Sequence, residues 1–159
     1  MRIELFRSYQ KVNYYTLVIE ENNPDGVSET EDFFGRFEHR KEYNTSLNNL
    51  VDWIEEIGDN RGANSDFFRP EDKARALPPP SRYLRTRSAG KLRLYCILIN
   101  EQIVILANGD EKTANAVKDC PDLLPKFRFA NSIARQLEIE ELKIQGKKIL
   151  NLKDIFLQY

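Results

Sequence analysis

The fold of this chain turns on one stretch: Arg82-Tyr83-Leu84-Arg85-Thr86-Arg87-Ser88-Ala89-Gly90-Lys91-Leu92-Arg93-Leu94-Tyr95-Cys96-Ile97-Leu98-Ile99-Asn100-Glu101-Gln102-Ile103-Val104-Ile105-Leu106. Residues 82–88 read as a strand, Ala89-Gly90 as a turn and residues 92–99 as a second strand. Asn100-Glu101-Gln102 is another turn, residues 103–106 form a third strand, and Gly109 ends it. The spacing predicts an antiparallel meander. Side chains alternate across a strand, so Arg93, Tyr95 and Ile97 share one face, while Leu92, Leu94, Cys96 and Leu98 take the other. In the first strand, Tyr83, Arg85 and Arg87 share a face. The fully apolar face is expected to meet helices. Arg85, Arg87, Arg93 and Tyr95 are then expected on an open sheet face, with Lys112 just beyond the third strand and Arg128 on its rim.

Working outward, residues 2–21 are rich in β-branched and aromatic residues and end at the turn Asn22-Asn23-Pro24-Asp25-Gly26. Ser28 with Glu31 three positions on is a capping box for a helix carrying Phe33, Phe34 and Phe37. Leu47, Leu50, Val51, Ile54 and Ile57 recur at helical spacing and predict a second helix over 46–57, with Trp53 beside the stripe. Residues 59–81 are polar and broken by Pro70 and Pro78-Pro79-Pro80. They read as a long loop with one short helical piece near 71–77. A last helix is expected from Pro121 or Pro125 to about Leu142, with Leu124, Phe127, Ala130, Ile133, Ala134 and Leu137 inward. The expectation is therefore an α+β fold: one domain over residues 1–142, with an antiparallel meander packed on two N-terminal helices, a C-terminal helix, and an extension over 143–159.

The 159 residues suit one domain, and with 41% hydrophobic and 31% charged residues the chain is globular in composition. No run approaches a membrane span, and Met1-Arg2-Ile3-Glu4-Leu5 lacks the pattern of a secretory signal, so a cytoplasmic protein is expected. Two cysteines, Cys96 and Cys120, make no disulfide framework. A single histidine, His39, excludes multi-histidine metal sites and a serine–histidine–aspartate triad is not expected. Net charge is −1 but unevenly spread: residues 1–60 hold 6 basic and 13 acidic side chains, and residues 61–99 hold 9 and 3. From Lys73 to Leu98 there are seven basic residues and no acidic ones. Such a block is the electrostatic footprint of a phosphate-binding surface, or else the complement of the acidic first third.

Cations gathered around a tyrosine, with no ligand set for a metal, suit the holding of a phosphodiester and the stabilisation of charge that builds on it. In RNA the 2′-OH already supplies the nucleophile, so no metal and no cofactor is required. What is needed is positioning, charge stabilisation and proton transfer. Arginine contacts phosphate oxygens bidentately, lysine contributes a point charge, and tyrosine stacks on a base or moves a proton. A module that only binds an anionic partner would use the same composition.

The run Tyr83–Tyr95, followed by Ile103-Val104-Ile105-Leu106-Ala107-Asn108-Gly109 and Lys112-Thr113, resembles the central meander of RelE/HigB-type toxins of type II toxin–antitoxin systems. The order of elements is also similar. The resemblance implies a RelE-like fold and a metal-independent messenger-RNA endonuclease, usually ribosome-dependent, neutralised by a cognate helix-turn-helix antitoxin. By position it implies that Arg93 contacts the reacting phosphate, with Arg85 and Lys112 assisting and Tyr95 packing on a base. Arg82, Arg87, Lys91 and Arg128 would hold flanking RNA. Departures are the loop at 59–81, the tail after 142, the slightly acidic net charge, and Asp110-Glu111 directly before Lys112, which weakens phosphate binding there. The sister ParE branch, which targets DNA gyrase, and non-catalytic partner-binding members share the scaffold.

Overall fold

A computed structural model describes residues 1–84 and 90–159. Its centre is a six-stranded sheet. In chain order the strands are β1 (Arg2–Ser8), β2 (Asn13–Val18), β3 (Arg69–Glu71), β4 (Ala74–Leu77), β5 (Leu92–Asn100) and β6 (Ile103–Glu111). Helix α1 (Glu29–Phe37) and helix α2 (Asn44–Glu56) follow β2, and α3 (Leu123–Ile139) follows β6. The spatial order is β1-β2-β6-β5-β4-β3, with β2 parallel to β6 and every other pairing antiparallel. The architecture is mixed α and β with a mostly antiparallel sheet, and no described helix is long and apolar enough to cross a membrane.

Several elements form where the residues direct them. Ser28 accepts from the Glu31 backbone N–H at 3.2 Å, and the Glu31 carboxylate accepts from the Ser28 N–H at 2.8 Å, closing the capping box of α1. In α2 the buried positions Leu47, Leu50 and Ile54 recur at three and four, and one π-helical turn, Ile57–Arg61, prolongs the helix. Strand β5 ends within a residue of expectation.

Three expectations are corrected. Among the described residues, the strand that flanks β5 opposite β6 is β4. Ser81–Tyr83 form a 3-10 turn, and residues 85–89 lie outside the described residues. Residues 71–77 are not helical: β3 and β4 form a hairpin, with Arg75 opposite Cys96 and Ala76 opposite Tyr95. Alanine favours a helix intrinsically, but Ala74 and Ala76 are fully buried against β5 and α3, where tertiary packing overrides propensity. The hairpin turn at Asp72 (φ +64°) is tied to α3, because Asn131 Oδ1 accepts from the Lys73 and Ala74 backbone N–H groups at 2.8 Å each. Finally, β6 runs through Gly109 to Glu111. A Cβ on Gly109 would lie 1.7 Å from the Arg93 carbonyl oxygen, so this glycine permits close strand approach instead of ending the strand.

Both faces of the sheet are covered. Tyr14, Leu92, Leu94, Cys96, Val104 and Leu106 pack with α1 and α2 on one side. On the other, Tyr15, Leu17, Tyr95, Ile97, Ile103 and Ile105 pack with α3. Burial from both sides explains why all of β2 is buried, without alternation. Residues 143–159 join the second layer. A hairpin of β7 (Ile144–Gln145) and β8 (Lys148–Ile149) turns at Gly146, and Ile149, Ile155 and Leu157 are buried in the same core as α3.

Candidate anion-binding site

The hairpin and β5 together build the charged site. Arg69 pairs with Ala76 and Glu71 with Ala74, and Ala76 faces Tyr95, so these side chains share the α3 side of the sheet. Arg93 lies on the same side of β5 and is only 7% exposed. Its Nη1 donates to the Gly90 carbonyl and, at 3.2 Å, to the Leu92 carbonyl. Arg69 Nε donates to the Pro78 carbonyl at 2.9 Å, and Arg69, Glu71 and Lys112 are half-buried.

The electrostatics show that these groups act on one another. Burial lowers the Arg93 pKa to about 10, the Arg69 charge pushes the same way, and Glu71 opposes both. Burial raises the Glu71 carboxyl above its ordinary value, against the pull of Lys112, Arg93 and Arg69. Burial likewise raises the Tyr95 phenol, helped by Glu71. The Tyr95 ring meets Phe127 edge-on at 5.9 Å, and its Oη is the one buried side-chain polar atom among the described residues without a hydrogen-bond partner. Three cations thus act on the Glu71 carboxylate, and Arg93 and Glu71 act on the orphaned Tyr95 phenol. Burial outweighs the three cations, so the Glu71 carboxyl holds a proton more tightly than usual.

Arg93, Tyr95 and Lys112 are brought together, but the expected open face is closed. Arg93 and Tyr95 do share a face, yet that face lies beneath α3. The reason is in β6 and β2. Ile103, Ile105, Tyr15 and Leu17 point the same way, and a face so apolar needs a cover. Tyr95 is fully buried, so it cannot stack on a base.

Of the remaining expected residues, the described ones do not join this group. Lys91 is exposed, although its carbonyl accepts from the Lys112 backbone N–H at 2.8 Å and so adjoins the site. Arg82 is exposed on the α2 side. Its guanidinium lies 4.9 Å over the Tyr83 ring, which packs with Trp53 and Phe67. Arg128 is exposed on α3. Arg85 and Arg87 lie outside the described residues.

Arg69 and Glu71 were missed because their segment reads as loop. The available signal was the pair of short extended runs flanking Asp72-Lys73. The carboxylates before Lys112 are both engaged elsewhere. Asp110 accepts from Arg36 Nη1 at 2.9 Å, and Glu111 from the Tyr43 hydroxyl at 2.6 Å. Among the described residues, no cluster of three or more His, Cys, Asp or Glu side chains could hold a metal ion. In comparisons with protein-family models, curated proteins and solved structures, the chain matches none of them.

Proposed function

We propose that this chain is a RelE/HigB-like toxin that cleaves RNA at the Arg93 site and is neutralised by a cognate antitoxin. The observation that carries this reading is the placement of Arg69, Glu71 and Arg93 on one side of the sheet, with Lys112 one residue past the end of β6. The order of elements supports it: an N-terminal strand pair and two helices, an antiparallel run of strands, a final helix, and the second N-terminal strand lying parallel to the last strand of that run. The ion pair of Asp110 with Arg36 also supports it, because it offsets the charge of one of the two carboxylates that precede Lys112.

In the proposed step the 2′-oxygen of RNA attacks the adjacent phosphorus and the bond to the 5′-oxygen breaks. The products are a 2′,3′-cyclic phosphate and a 5′-hydroxyl. Arg69 binds the non-bridging oxygens, whose charge grows in the transition state, and the buried Arg93 adds its positive charge from behind. Glu71 takes the 2′-OH proton and Lys112 supplies one to the leaving oxygen, so that the protons balance. Tyr95 holds the floor beneath Arg93 and is a positioning residue.

Expression of the wild-type chain alone is expected to arrest growth and shorten messages, and the Arg93→Glu variant to do neither at equal soluble level. Purified protein in a chelator should leave cyclic-phosphate ends on RNA. A soluble wild type that neither slows growth nor cuts RNA, alone or with ribosomes, would overturn the reading. That outcome would favour the second one, a RelE-fold module that only binds a partner, to which the burial of Arg93 and Tyr95 lends support.

A further inference from the structure

The two edges of the sheet are built differently. At one end β3 is three residues long and contains Pro70, which blunts it as a template for another strand. At the other end β1 is seven residues long, has no proline, and pairs on one side only among the described residues. A bulge between Leu5 and Arg7 bounds its straight run to Arg2–Leu5.

A cleft lies along each face of this edge. On the helix side a cleft of about 830 Å³ is lined by four carboxylates, Glu4, Asp25, Glu31 and Glu38, and by Arg7, with Arg2 paired to Glu4 at 3.4 Å, so acidic groups outnumber basic ones there by four to two. On the other side a cleft of about 570 Å³ runs between β1 and the C-terminal tail, with Ile3, Leu5, Ile155, Phe156 and Leu157 in its wall. Two of these apolar residues are left in water, Leu5 at 52% exposure and Phe156 at 79%.

We propose that β1 receives an extended segment of a partner protein by strand addition. The segment carries Lys or Arg at alternate positions, with aliphatic or aromatic residues between them. A strand added to β1 would send alternate side chains to opposite faces. One set enters the acidic cleft and the other covers Leu5 and Phe156. Charge complementarity selects the partner over a second copy of this chain, because a second β1 would bring Glu4 as well as Arg2 to the acidic side. The same carboxylates repel a nucleic-acid backbone. The proposal stands apart from the Arg93 site and does not depend on RNA cleavage.

The test uses the full chain and a short fluorescently labelled peptide alternating lysine and valine, read by anisotropy. Saturable binding is expected. It should weaken at least tenfold, about 1.4 kcal/mol, when glutamate replaces lysine, when alternate peptide amides are N-methylated, and in the double variant Glu4→Lys with Glu38→Lys. Thermal melting of that variant should match the wild type. Absence of saturable binding would overturn the proposal. Equal binding of the N-methylated peptide would also do so, because attraction would then be by charge alone. A concentration-dependent dimer that Leu5→Arg dissolves would overturn it too, by showing that a second copy takes the edge.

Discussion

Arg93 shows what burial does to a side chain that looks like a surface cation in the sequence. Its carbonyl partners lie within three residues of it, and no acidic group is in ion-pair contact with it among the described residues. The lowered pKa records the cost of that burial, and Glu71 offsets part of it. An arriving phosphate would offset more, which is why the proposed function places the anion there. The strand opposite Arg93 adds a second constraint. With a methyl group 1.7 Å from the Arg93 carbonyl oxygen, Gly109→Ala must push β5 and β6 apart. Its unfolding free energy, read from denaturant melts, should fall by at least the roughly 1–3 kcal/mol typical of overpacking. By contrast, Gly35→Ala, whose Cβ meets nothing within 4 Å, should not destabilise the fold.

At the level of elements, α1 is locked to the end of β6 by one charged network. Arg36 donates to Asp32 at 3.0 Å, to Asp110 at 2.9 Å and to Asn108 at 2.6 Å, and Asn108 Nδ2 donates to Asp32 at 2.9 Å. For Asp32, burial works to raise the pKa. The hydrogen bonds from Asn108 and Arg36 and the Arg36 charge outweigh it, so the carboxyl lies below its ordinary value. A carboxyl depressed in the folded state contributes stability above its unfolded pKa and loses it as pH falls through the folded one. The wild type is thus expected to lose stability below about pH 4. In Asp32→Asn that acid limb should be shallower, with lower stability at neutral pH. Urea unfolding across pH measures both. The capping box at Ser28 and Glu31 was readable in advance, because a cap needs only residues three apart. The network on Arg36 was not, because it joins residues 72 to 74 positions apart.

For the whole molecule, the tail is the piece whose importance composition hides. Ile149, Ile155 and Leu157 are buried beside β2 and α3. The Tyr15 hydroxyl accepts from the Ile149 N–H at 3.0 Å, and Asn13 Nδ2 donates to the Lys147 carbonyl at 2.9 Å. Truncation after Leu142 removes three buried aliphatic side chains, each contributing about 1.5–3 kcal/mol, and uncovers Tyr15. The truncated chain should therefore melt well below the full one and bind a dye for exposed apolar surface. Unchanged melting would show that the tail contributes nothing to the core.

Local patterns by themselves determined the capping box, the stripe of α2, β5 with its alternation, and the presence of a basic block. Each depends on neighbours within one turn or one strand, and the energies that decide them are local. Which strand would flank β5 was decided only by tertiary structure. Ala74–Leu77 take that place because the small, fully buried side chains of Ala74 and Ala76 pack in the layer shared with Tyr95 and α3. The same holds for the cover over Arg93 and Tyr95. Parity correctly puts both on one face of β5, but whether that face meets water depends on the summed apolar surface of β2 and β6. A sheet apolar on both sides recruits a layer to each.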